Sequence, residues 1–177
     1  MVIIAALWWP GVRLCYFGWI TTFGTVPHRH TDFSQLSRVL PPSDSSAPVI
    51  YRGLPHQMWD KAALWTHLFI TSNRSIGGYR FYTTRALASD TLRARLTAAF
   101  QASTLYQPYR GPKLCGGYHP DYCFEWRSSR GTFYALICTG CHEIILIGDG
   151  TEVHCDLGDV PGDALERLLD EFNQPNA

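Results

Sequence analysis

Between Asp121 and Leu157 four strand-like runs follow one another closely: DYCFEW, TFYALIC, CHEIILI and EVHCDL. The short connectors between them carry Ser-Ser-Arg-Gly, Thr-Gly and Gly-Asp-Gly. Runs rich in β-branched and aromatic residues, joined by connectors of this length and chemistry, are hairpin signals. A parallel crossover needs a dozen or more residues, so connectors this short force neighbouring strands to run antiparallel. The stretch therefore predicts a four-stranded meander, and everything else in the chain has to pack around it.

The flanking elements follow from periodicity. VIYRGL (49–54) reads as a short strand stopped by Pro55. Met58, Ala62, Trp65 and Phe69 recur at helical spacing and predict an amphipathic helix over 56–69. Gly77-Gly78 breaks the chain before YRFYTT (79–84), which alternates like a strand. Ser89 is a candidate N-cap for a helix reaching about Ala102, with Leu92, Leu96, Ala99 and Phe100 on one face. A last helix, from about Pro161 to Phe172, carries Leu165, Leu168, Leu169 and Phe172 toward the sheet. The expected class is α+β: an antiparallel β-meander of four strands with two to three packing helices.

Outside this body the composition changes. From Val2 to Val26 the only charge is Arg13, a pattern suited to an export or anchor segment and to membrane association. No Lys or Arg precedes it, Pro10-Gly11 interrupts it, and Val12-Arg13-Leu14 stands before Cys15 where a lipoprotein signal wants small residues. Residues 34–48, SQLSRVLPPSDSSAP, read as a linker because Pro41-Pro42 and a Ser/Asp cluster offer no apolar face. The expected organisation is an apolar N-terminal segment over 1–33, a linker over 34–48 and an α+β domain over 49–177. At 177 residues and 46% hydrophobic, the chain is long enough for a real core. Lys+Arg and Asp+Glu are both 15, so the clustered cations that nucleic-acid binding requires are not supplied.

Of the six cysteines, Cys115, Cys123, Cys138, Cys141 and Cys155 fall close together, with Cys15 apart. Clustering of this kind implies metal in a reducing compartment and disulfides in an oxidising one. With Thr139-Gly140 as a two-residue turn, and Gly140 supplying its positive φ, Cys138 and Cys141 sit opposite each other. Their Cα atoms are then about 4.5–5.5 Å apart, with the turn amides free to donate to sulfur. Cys115 and His119 complete a Cys₃His set, Cys115-x3-His119-x18-Cys138-x2-Cys141, of the kind that holds Zn²⁺ tetrahedrally. Four protein ligands leave no open position, so the expected role of zinc is structural. Asp121 stands where it can orient the His119 imidazole, and Pro120-Asp121 also reads as a plain turn entering a strand. Glu143 beneath the sulfurs needs a cation, from Arg127 or Arg130, unless it lies on an exposed edge. Cys155, Cys123 and His142 are reserve ligands. A three-residue loop at Gly148-Asp149-Gly150 would bring Cys155 opposite Glu143, and a slip of one residue would turn it to the other face.

Other chemistries fit the same residues less well. Cys138-x-x-Cys141-His142 spells a c-type haem attachment, but in a strand His142 alternates away from Cys141, a geometry that disfavours haem. A redox dithiol wants a helix after its first cysteine, and here a second strand follows. A metal-dependent hydrolase would need one ligand position given over to water. His28, Arg29, His30 and His56 read as surface groups. Glycine-rich phosphate loops, nucleophile elbows and HExxH motifs do not occur.

GLPHQ (53–57), KLCGGYHPDYCFEW (113–126), ALICTGCHEI (135–144) and HCDL (154–157) together resemble the hallmarks of a family of short uncharacterised bacterial proteins. Some members of that family carry lipoprotein-type export signals, and no activity is assigned to it. The resemblance spans about Val49 to Leu169 and implies an envelope location. The expected function is a non-catalytic binding or interaction module with a structural zinc-type site and an unidentified protein partner. The alternative is an exported envelope or periplasmic protein with the same cysteines in disulfides; a cytoplasmic location goes with the metal.

Overall fold

The computed structural model describes residues 32–54, 73–86, 89–111, 113 and 118–173. The expected helix over 56–69, the apolar run over 2–26, the histidines at 28, 30 and 56, and the cysteines at 15 and 115 lie outside them.

Eight strands form one sheet: β1 Val49–Gly53, β2 Asn73–Ile76, β3 Tyr79–Ala86, β4 Tyr106–Pro108, β5 Tyr122–Ser128, β6 Gly131–Cys138, β7 Glu143–Gly148 and β8 Thr151–Leu157. Their order is β2-β3-β1-β5-β6-β7-β8-β4, every pairing is antiparallel, and the sheet curls into a half-barrel. Three α-helices accompany it among the described residues: α1 Leu36–Val39, α2 Asp90–Gln101 and α3 Asp159–Asn173. The class is α+β, but the four-stranded meander is overturned, because its four runs are only the middle of a sheet twice as wide. The additional pairings join residues far apart in the chain, such as Ile50 with Phe124 and Gln107 with Asp156. Local periodicity carries no information about contacts of that range.

The two faces of the sheet bury different things. On one, Phe100 of α2 and Leu165 of α3 pack with Phe124, Trp126, Phe133, Ile137, Ile144 and Val153 of the sheet. Phe100 meets Phe124 at 4.8 Å and Trp126 at 4.9 Å between ring centroids. Ser89 caps α2, its hydroxyl accepting the Leu92 N–H at 3.2 Å. On the opposite face Tyr51, Ile76, Phe81, Cys123, Leu136 and Ile145 form a second cluster. Alternation along β7 and β8 also sends Glu143, His154 and Asp156 to this second face, and all three are buried. Leu36 and Val39 of α1 are buried against the first core, and the Ser46 N–H donates to the Arg127 carbonyl at 2.8 Å, so the 34–48 stretch runs along the sheet. Among the described residues no helix is long and apolar enough to cross a membrane.

Backbone approaches are tightest at Gly53, where β1 leaves the sheet. Its N–H donates to the Asp121 carbonyl at 2.7 Å, and an added Cβ would overlap the Pro120 carbonyl oxygen. Backbone cannot step aside as a side chain can. Gly53→Ala is expected to lower stability by about 1–3 kcal/mol. Gly140→Ala, with nothing within 4 Å of the new atom, should stay within about 0.5 kcal/mol of the parent. Denaturant midpoints of the two variants check the order.

Candidate functional site

Two turns decide where the candidate residues point. Asp149 and Gly150 both have positive φ, 50° and 67°, the type I′ geometry that suits a two-residue hairpin. Gly148 consequently pairs with Thr151, Ile144 with Cys155 and Glu143 with Asp156. The three-residue loop expected from sequence is thereby corrected. Cys155 does not face Glu143; it points into the helix-covered core, fully buried, and burial pushes its thiol up to about 12. Cys123 is equally buried, in the opposite cluster, and burial raises its thiol as well. These two reserve ligands lie on opposite faces of the sheet.

The second turn holds the CxxC. Cys138 pairs with Glu143, not Cys141, so the connection is the four residues Thr139–His142 instead of two. The positive φ expected at Gly140 falls on His142, at 52°. The His142 N–H donates to the Thr139 carbonyl at 3.2 Å. Asp121 anchors this turn: its Oδ2 accepts the Thr139 N–H at 2.8 Å and the Thr139 hydroxyl at 2.7 Å. His119 Nδ1 stands 3.9 Å from the other carboxylate oxygen of Asp121.

Cys138 is a buried free thiol. Burial pushes it up to about 11, opposed by backbone N–H groups of His119 and Cys141 directed at the sulfur. Residues 119, 138 and 141 are therefore gathered at one tip. Cys141 is disulfide-bonded and does not stand among the free thiols. Among the described residues no three His, Cys, Asp or Glu side chains are grouped so as to hold a metal ion. His142 turns away toward α3, with its Nε2 3.3 Å from Glu166 Oε1. Between this turn and α3 lies a groove of about 390 Å³, bounded by Tyr122, Thr139, Gly140, His142, Glu166, Leu169 and Asp170.

Beside the tip runs a buried row of charge that periodicity alone did not expose. Glu143 Oε2 lies 3.1 Å from His154 Nε2, and Tyr109 stacks on that imidazole at 4.0 Å. Asp156 accepts from Arg110 Nε at 2.8 Å and meets Lys113 Nζ at 3.0 Å. Lys113 stands 3.9 Å from Glu143 and donates to the Cys141 carbonyl at 2.9 Å, which joins the charged row to the cysteine turn. Glu143 thus finds His154 and Lys113; Arg127, expected for it, binds Glu125 at 2.9 Å instead, and Arg74 joins from 3.0 Å. Arg130 donates to the Arg38 carbonyl at 3.1 Å. The exposed-edge reading of Glu143 falls too, because only 2% of it is accessible. The signal for the row was available: Asp-Gly between apolar runs sets a two-residue turn, and that register places Asp156 opposite Glu143.

No family model, no curated protein and no solved structure matches the chain.

Burial works to raise the Asp156 carboxyl, but hydrogen bonds and charge from Arg110 and Lys113 outweigh it and hold the group below its ordinary 3.8. A carboxyl depressed on folding contributes stability above its unfolded pKa and loses that contribution as pH falls through the folded value. Asp156→Asn is expected to destabilise the protein by about 1–3 kcal/mol near neutrality. The gap to the parent should be constant above about pH 5 and close on acidification below about pH 4. Paired denaturation curves across that range measure it.

Proposed function

We propose that the protein is a non-catalytic binding or interaction domain working in an oxidising compartment such as the cell envelope. In this reading the covalent bond at Cys141 serves to fix the β6–β7 tip. A single observation carries it: Cys141 is disulfide-bonded while Cys123, Cys138 and Cys155 are thiols. Such a bond persists where glutathione and thioredoxin do not keep thiols reduced. The resemblance to bacterial proteins with export signals, and the apolar run over 2–26, support the same compartment. The buried ionisable groups support a structural use over a catalytic one, since Glu143 engages His154, and Asp156 engages Arg110 and Lys113. The groove between the cysteine turn and α3 offers a polar surface to a partner.

A second reading starts from the backbone N–H groups of residues 119 and 141 that are directed at the Cys138 sulfur. In a reduced chain, Cys115, His119, Cys138 and Cys141 would hold zinc, clamping the 115–119 loop onto the same tip. A disulfide sulfur is not a thiolate ligand, so the two readings belong to opposite redox states.

Thiol titration with elemental analysis separates them. Six cysteines less the two of one disulfide leave four thiols in denatured, unreduced protein, rising to six after reduction, without stoichiometric zinc. Six thiols before reduction together with one equivalent of zinc would reverse the assignment.

A further inference from the structure

We infer that the groove between the β6–β7 turn and α3 receives an arginine side chain of a partner polypeptide, whose guanidinium meets Glu166 and Asp170. The inference rests on the reading of the protein as a binding domain and deepens it by naming the chemistry of the partner.

The groove has a volume of about 390 Å³, at the small end of the range for ligand sites, about 300–1,000 Å³. Its acidic wall is α3. Glu166 and Asp170 are four residues apart on that helix, so their side chains share a face, and like charges at this spacing repel. Among the described residues Asp170 forms no ion pair, and Glu166 meets a single imidazole, His142 Nε2 at 3.3 Å. A repelling pair beside a groove is relieved by a cation from outside. The opposite wall is shaped in advance. Asp121 accepts two hydrogen bonds from Thr139, of 2.8 and 2.7 Å, and Lys113 donates to the Cys141 carbonyl at 2.9 Å. A wall fixed before binding costs less ordering when it is occupied. Tyr122, mostly buried, adds aromatic surface to the lining. Its ring meets that of Phe172 edge-on, and Arg52 lies over Phe172 at 5.5 Å from the ring centroid.

These walls select the cation. Among the described residues the two carboxylates are not grouped with a third ligand for a metal ion. Two carboxylates one above the other suit the planar fork of a guanidinium better than the point charge of an ammonium. A guanidinium also stacks on aromatic surface, which Tyr122 provides. The source is a polypeptide because a free amino acid carries a carboxylate of its own. That charge would enter a small groove already holding two, whereas within a chain the same group is a neutral amide.

The test follows backbone amide NMR shifts of the full-length, isotope-labelled protein at neutral pH. The probes are N-acetyl-Gly-Arg-Gly-amide, the same peptide with uncharged citrulline in place of arginine, and free L-arginine. The arginine peptide should give saturable shifts at Gly140, His142 and Asp170, the citrulline peptide none there, and free L-arginine weaker ones. Asp170→Asn should lower affinity by about fivefold, and the double variant Glu166→Gln with Asp170→Asn should abolish saturation. Asp163→Asn removes the same charge from α3 outside the groove lining, and should stay within about twofold of the parent. Spectra of the free variants, unchanged away from the substitution, show that each keeps its fold. Equal binding of the citrulline peptide, shifts confined to other surfaces, or an equal loss in Asp163→Asn overturns the groove as an arginine site. Tighter binding of free L-arginine overturns the polypeptide source. Any of these results leaves the count of four thiols, and the reading built on it, intact. Six thiols with zinc would reverse that reading without moving the shifts at the groove.

Discussion

The register of the β7–β8 hairpin is the constraint on which the rest depends. Asp149 and Gly150 adopt left-handed backbone together, and this two-residue turn pairs Gly148 with Thr151. Side chains in a strand alternate, so one residue more in the loop would send every side chain of β8 to the other face. The observed register aligns Glu143, His154 and Asp156 on one surface and turns Cys155 into the core beneath the helices. A small backbone preference thereby decides which residues meet charge and which meet hydrocarbon.

Burying three ionisable side chains on one sheet face is costly unless each is met by a partner. The chain supplies those partners from the segment that follows β4: Tyr109 on the His154 ring, Arg110 and Lys113 on Asp156. Lys113 also reaches the Cys141 carbonyl. The charged row is therefore part of what positions the cysteine turn, with Asp121 and Thr139 completing the hold from the other side. The shape of the tip thus depends on electrostatics elsewhere on the sheet.

Much of the local structure was legible. Ser89 caps its helix, the apolar positions of α3 face the core, and the four runs between Asp121 and Leu157 form consecutive strands. What failed was range and register. NRSI and YQP are too short and polar to announce edge strands, yet β2 and β4 close the two sides of the sheet. Taking Thr139-Gly140 as a two-residue turn put Cys141 where Glu143 belongs, because His142 was not expected to adopt left-handed backbone. The backbone N–H of His119, not its imidazole, is what reaches the Cys138 sulfur, while Cys123 and Cys155 are separated by the thickness of the sheet.

By itself the sequence determined the α+β class and the antiparallel sense of the central strands, because both follow from short connectors and side-chain alternation. Tertiary structure alone decided the eight-stranded width, the partners of Glu143 and Asp156, and the face on which each described cysteine lies. Those outcomes depend on contacts between residues remote in the chain, which are selected by burial and charge pairing once the sheet has curled.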